Sequence, residues 1–562
     1  MNLLGKACEG SFWKEVREKD CFAPFRNEII TTWSTSCEGK EIPELRYSDF
    51  LIFTKTGSRA EYEQVYFDRR RRMNACSFLS LIYPEEEKYF TYLCDILFAI
   101  CNEFSWCLPA HYGDASVDNH RAIDLFAAET GFALSEIYTM LKDRFDPLLS
   151  HRIRSEIDRR IIEPYQMRLQ TYGWETANSN WTAVCTGSIG CTVMLMRPAL
   201  FDALHPRFQA SMECYLEGFA SDGFCVEGCG YWHYGFGYFL VYADMVKIFT
   251  DGKEDYFVRD KIRAIATYLQ KMFLSGHAAI SFADSGRILH YHLGTLHYLK
   301  KLYPEDVVIY DRKYAYYSDN CARYCLHLRA ALWYCEEFET TEAPTEAFEF
   351  FAEGAEWYIK KTASYGFAAK GGHNQEPHNH NDVGSFIFAK NGTHILTDPG
   401  SGGYSKQYFG KERYTFFHTA SFGHSLPIIG DHYQQCGRKF AARNCTVAPG
   451  SFRLDIADAY GLPELTSLER SFTLEEDSVT VTDCFHYTGN EPIRERLVTS
   501  YVPEKTADGF FISGCLLTYD RDSVADVKIT KQELPGAAPY YTIDFTLASD
   551  VTRFSYCIGS PL

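Results

Sequence analysis

Apolar residues change their spacing near residue 340, and no other feature limits the fold as much. Tyr89, Leu93, Ile96, Leu97 and Ile100 recur at helical intervals of three and four, as do Ile123, Phe126, Ala127, Thr130, Leu134, Ile137 and Leu141. That spacing gives each helix one apolar stripe. Many such stretches follow one another. After the acidic, proline-containing segment from Glu339 to Glu346, the pattern shifts to short runs separated by turn residues. Asn391-Gly392 stands between Phe386-Ile387-Phe388 and His394-Ile395-Leu396, the strongest short-range sign of a hairpin. Runs such as Val479 to Thr482 and Arg553 to Tyr556 carry the pattern to the end. The sequence therefore predicts a multidomain α+β chain, with a helical domain over 1–340 and an antiparallel β-sandwich over 346–562.

Charge excludes some partners. With 56 Lys and Arg against 74 Asp and Glu, the net charge of −18 argues against a general nucleic-acid or anionic-membrane binder, which needs a basic footprint. An anionic substrate stays compatible if positive groups gather in one cleft. The one dense basic run, Arg69 to Arg72, reads as a solvated helix face. The first ten residues lack the apolar core of a secretory signal, and no stretch has the roughly 18 apolar residues of a membrane span. A cytoplasmic location is expected, with the 20 Cys as reduced thiols and none spaced CxxC. The aromatic share of 16% suits either a sugar-handling surface or a large aromatic core.

Four places carry candidate chemistry. Gly371 to Asp382 packs His373, His378, His380 and several Asn and acids into twelve residues. In an extended segment His378 and His380 point the same way. His380, Asp398 and His424 make a two-His, one-carboxylate set suited to zinc or a similar divalent ion, although 18 and 26 residues separate them. Asn180, before Trp181, opens an apolar helical segment, where Asn often serves only as a cap. The stretch from Glu227 to Tyr238 alternates aromatics and glycines, as a sugar platform or a tightly packed helix start would. Trp106 and His111 interrupt the helical pattern and are read as exposed.

Together, Asn180-Trp181, Glu227-Gly228 with Tyr231-Trp232-His233-Tyr234, His378-Asn379-His380-Asn381-Asp382, Asp398-Pro399-Gly400 and His424 resemble the heparinase II/III-like polysaccharide lyases, which include alginate lyases. The likeness spans nearly the whole chain. It implies an N-terminal incomplete (α/α) toroid, a C-terminal antiparallel β-sandwich, and β-elimination at C4 of a uronic acid. It implies Asn180 as the amide that polarises the substrate carboxylate, and Tyr234 as proton donor, with a second role as base left open and Tyr231 as runner-up. His378 is implied as base or second neutraliser. It also implies a structural divalent metal, zinc foremost, on His380, Asp398 and His424. Trp106, His111, Trp181, Tyr231, Glu227, Arg413 and Tyr414 are the candidate substrate contacts. The expected partner is an anionic oligosaccharide, a glycosaminoglycan fragment in preference to alginate; self-association is left open. Two other readings stand beside it. A glycoside hydrolase on the same toroid would use two carboxylates, Glu227 and Asp382 being nearest the motifs. A non-catalytic sugar-binding protein would keep only the fold.

Overall fold

The computed structural model describes residues 2–113, 122–168, 170–315, 317, 319–340 and 346–561. Most of the acidic segment 339–346 expected to join the domains thus lies outside the described residues. The chain divides into two compact units. The first comprises Met1–Gly218, Tyr231–Arg263 and His290–Thr341, and the second Phe219–Gly230, Ala264–Leu289 and Glu342–Leu562.

The first unit is built of helices, among them Ala60–Ile82, Glu87–Cys101, Leu125–Leu141, Asn180–Met196, Phe201–Glu217 and Gly237–Phe249. The stripe read in Glu87–Cys101 is the buried face, with Leu93, Ile96, Leu97 and Ile100 inside. Asn180–Met196 is small and apolar on all sides and is buried along nearly its whole length, as a helix without a polar face must be. Gly190 permits this, because a Cβ there would lie 2.6 Å from the ring of Tyr242.

The arginine run is a correction. Arg69, Arg70 and Arg72 are only 5%, 4% and 8% exposed, whereas a solvated face was expected. Glu103 explains the difference: its carboxylate takes Arg69 Nε at 2.8 Å and Arg70 Nη1 and Nη2 at 2.5 and 2.7 Å. Arg72 bonds Asp68, the Glu41 carbonyl and the Tyr92 hydroxyl. Buried charge survives only when paired in this way.

The second unit is antiparallel throughout. One sheet orders its strands Arg443–Ala448, Ser451–Asp455, Leu465–Leu474, Ser478–Tyr487, Arg553–Gly559, Cys515–Tyr519, Gly509–Ile512 and Glu504–Lys505. A five-stranded sheet runs Phe348–Ala352, Trp357–Lys361, Gly366–Lys370, Phe386–Lys390 and Thr393–Leu396, and a four-stranded one runs Val524–Gln532, Tyr540–Leu547, Ile493–Thr499 and Pro427–Ile429. One apolar core joins all three through Phe367, Phe386, Phe472, Val481, Leu497 and Phe545. The hairpin read from Asn391-Gly392 is present, both residues having positive φ, 51° and 76°. Two segments from inside the helical stretch also pack here: the rings of Phe224 and Phe282 lie 5.1 and 4.9 Å from Trp357. Among the described residues no helix is long and apolar enough to cross a membrane.

Arg470, in the middle of its strand, is fully buried. It bonds Asp483 bidentately at 2.8 and 2.7 Å, Glu495 at 3.3 Å, and the carbonyls of Gly384 and Ser425. Arg470→Met should therefore strand two carboxylates and cost about 3–5 kcal/mol, measurable by urea unfolding.

Candidate functional site

In the first unit Asn180 occupies the first position of its helix, with Ser179 at the cap. Trp232–Phe236 forms a π-helical turn that leads into Gly237–Phe249. Such turns recur at functional sites. Gly235 in that turn lies against Asn180 so closely that a Cβ would be 3.0 Å from the Asn180 Cβ. The residue before it, Tyr234, donates its phenol to Glu129 Oε1. The Arg323 guanidinium covers the Tyr234 ring at 3.8 Å and pairs with Glu129 at 3.7 Å and Asp319 at 3.2 Å. Burial pushes the Glu129 carboxyl up to about 7, against the pull of Arg323 and of the tyrosine hydrogen bond. Burial and the charge of Glu129 hold the Tyr234 phenol well above its usual range, with Arg323 pulling the other way. This phenol keeps its proton.

In the second unit the expected extended segment at His378 is a turn, with His378 at φ 57°. Asp284 lies at its centre. Its Oδ2 meets His378 Nδ1 at 3.1 Å and Arg413 Nη2 at 3.2 Å; its Oδ1 meets His380 Nε2 at 3.1 Å and takes the Tyr408 hydroxyl at 2.6 Å. Burial raises the Asp284 pKa, but the hydrogen bonds from His378 and His380 and the charge of Arg413 outweigh it and hold the group far below the carboxylate range. Glu227 belongs to this unit as well. Burial pushes its carboxyl up to about 7, with His378 opposing.

His380, Asp398 and His424 come together in the second unit, and Asp382 joins them: one ligand atom from each lies within 4.8 Å of the others, all four residues being buried. The donor set fits a metal. His380 Nδ1 and Asp382 Oδ2 are buried with no hydrogen-bond partner, while His380 Nε2 is held by Asp284 as the outer nitrogen of a ligating histidine usually is. His424 Nδ1 faces Asp398 Oδ2 at 2.9 Å. Asp398 holds the His424 pKa up despite burial, and the Asp398 carboxyl is in turn held down. Lys370, fully buried, bonds the other Asp382 oxygen at 2.5 Å. The buried His/Asp cluster can hold a metal ion.

Other expected contacts turn out differently. Trp106 is a core residue, 1% exposed, with its indole N–H on the Ile100 carbonyl at 3.0 Å; it offers no exposed stacking face. His111 and Trp181 do lie together, rings 4.9 Å apart, with His111 Nδ1 on Asp124 at 2.9 Å. Tyr231 is half-buried at the entrance to the π turn. Arg413 is not the free anion-binding group expected. Its donors go to Asp284 and to the carbonyls of His378, Asn379 and Tyr408, and Tyr414 bonds the Asn379 side chain at 3.0 Å. The pair clamps the His378 turn. The sequence reading missed Glu129, Arg323 and Asp284. Glu129, a lone charge within Phe126-Ala127-Ala128-Glu129-Thr130-Gly131, carried a signal; Asp284, 94 residues before His378, carried none.

Residues 360–552 match the family described as heparinase II/III-like, C-terminal. No curated protein matches the chain. Among solved structures, a heparan sulfate lyase HepC mutant from Pedobacter heparinus is similar over 99% of this chain and 87% of that one, with TM-score 0.60 at 12% identity. A heparinase III structure matches 96% of this chain and 85% of its own, with TM-score 0.63 and 12% identity. A Paenibacillus xanthan lyase matches 99% of this chain and 59% of its own, with TM-score 0.57 and 10% identity. These likenesses give the fold: a helical toroid followed by an antiparallel β-sandwich. The family match lies within the second unit, and the solved structures show the same two-part fold over nearly the whole chain.

Proposed function

We propose that the protein cleaves uronate-containing oligosaccharides, glycosaminoglycan fragments foremost, by β-elimination. The observation that carries this reading is the Tyr234 phenol, held by Glu129 under Arg323 on a turn packed against Asn180. In the proposed reaction the C5–H and C4–O bonds break, a C4–C5 double bond forms, and the departing oxygen gains a proton. No water is consumed. Asn180 donates to the substrate carboxylate, where charge grows as the C5 proton leaves. Tyr234 gives its proton to the leaving oxygen. Its raised pKa supports donor over base, since a tyrosine base needs a lowered one. His378 is the proposed base, its imidazole offering a ring nitrogen that can take the C5 proton.

Glu129 would return a proton to Tyr234. With its carboxyl near 7, it holds that proton below pH 7 and loses it above, so kcat should fall as pH rises through 7. Glu129→Gln should remove that limb from the pH profile. The stability sign agrees: a carboxyl raised from an unfolded value of about 4.3 favours the fold below that value, and the benefit is lost as pH climbs through 7.

The His380, Asp382, Asp398 and His424 cluster would hold zinc as a structural ion, which when bound would fix the loops around His378. Metal analysis should find about one zinc per chain. Asp398→Asn should lose it and lower the melting midpoint, and metal-free wild type of unchanged stability would contradict the assignment. Asp382, fully buried on Lys370, is poorly placed as a hydrolase carboxylate, which favours elimination over hydrolysis.

The test is a panel of heparan, chondroitin, hyaluronan and alginate oligosaccharides, read by ultraviolet absorbance of the unsaturated uronate. Absorbance growth with at least one glycan is expected. Tight binding without turnover across the panel would sink the reading.

A further inference from the structure

We propose that Asp284 is the positioning residue that sets the tautomer and direction of the His378 ring and ties it to the buried metal-ligand cluster. The proposal rests on the reading of His378 as the base. Among the described residues, four side chains bond the Asp284 carboxylate. Oδ2 faces His378 Nδ1 at 3.1 Å and Arg413 Nη2 at 3.2 Å, and Oδ1 faces His380 Nε2 at 3.1 Å and the Tyr408 hydroxyl at 2.6 Å.

A carboxylate only accepts hydrogen bonds, so both imidazole nitrogens that face it carry protons. For His378 this puts the hydrogen on Nδ1 and the lone pair on Nε2, the nitrogen that would take a proton. For His380 it puts the hydrogen on Nε2 and the lone pair on Nδ1, the nitrogen that is buried with no hydrogen-bond partner. One carboxylate thus fixes opposite tautomers on two histidines two residues apart. The Asp284 side chain is fully buried, whereas that of His378 is a quarter exposed: the anchor is rigid and the imidazole reaches outward from it.

The backbone agrees. Ala283, next to Asp284, and His378 itself both have positive φ, 60° and 57°, a conformation that non-glycine residues keep only where the surroundings enforce it. Arg413 reinforces the bond from outside by donating to Asp284 and to the His378 carbonyl with the same nitrogen.

The test has two arms. In the first, Asp284→Asn and the milder Tyr408→Phe are made in wild type and in His378→Ala, and turnover is measured on the glycan that the panel identifies. Asp284→Asn should lower kcat about 10- to 100-fold with KM within about twofold, Tyr408→Phe should lower it less, and neither should add to the loss in His378→Ala. Additive losses would mean a merely structural role and overturn the proposal. Full turnover by Asp284→Asn while His378→Ala is inactive would overturn it alone; full turnover by His378→Ala would overturn the role of His378 and the proposal with it. The second arm needs no substrate: nitrogen NMR of histidine-labelled protein, with the His378 signal assigned by its loss in His378→Ala. A protonated Nδ1 in wild type, giving way to mixed tautomers in Asp284→Asn, is expected. A wild-type signal protonated at Nε2 would overturn the proposal whatever the activity.

Discussion

Tyr234→Phe should lower kcat by about 10²–10⁴-fold, the usual worth of a positioned general acid, and leave KM nearly unchanged. The substitution removes one oxygen. The ring's contacts with Arg323 and with Tyr238, whose ring lies 5.7 Å away, survive, so folding should too. Removing the hydroxyl also frees Glu129 of the tyrosine bond that lowers its pKa, so that carboxyl should titrate higher in the variant than in wild type. Near-normal turnover by a folded Tyr234→Phe protein would show that another group protonates the leaving oxygen, with Tyr231 the next to replace.

Asn180→Ala is expected to cost about 10²–10³ in kcat, the effect of deleting one donor to a developing oxyanion. The position tolerates alanine structurally: it is the first residue of a helix whose cap is Ser179, so no capping bond is lost. Asn180→Asp is the sharper variant. It keeps size and shape but sets a negative charge where, in the proposed elimination, the substrate carboxylate gains charge, so it should be at least as inactive as alanine. Equal activity of Asn180→Asp and wild type, measured as kcat on the same glycan, would end the assignment.

The architecture was legible because periodicity reports burial directly. The stripe at Leu93, Ile96, Leu97 and Ile100 and the Asn391-Gly392 turn are local patterns with local causes. Buried charge was not legible. Arg69 to Arg72 reads as solvated until Glu103, more than thirty residues away, is seen to accept two of the guanidinium groups. The same holds for Trp106, whose ring is enclosed by tertiary packing that no motif announces. Within the candidate site, His380, Asp398 and His424 were readable only as a set of metal-binding residue types, and the fold supplies their convergence. No local pattern marks a hub such as Asp284: an isolated acid gains meaning only from the four side chains folded around it.

Product mass after turnover in heavy-oxygen water separates elimination from hydrolysis. Elimination should give two products whose masses sum to that of the substrate, one bearing an unsaturated uronate and neither carrying solvent oxygen. Products that together exceed the substrate by one water, with the heavy oxygen at the new reducing end, would contradict it.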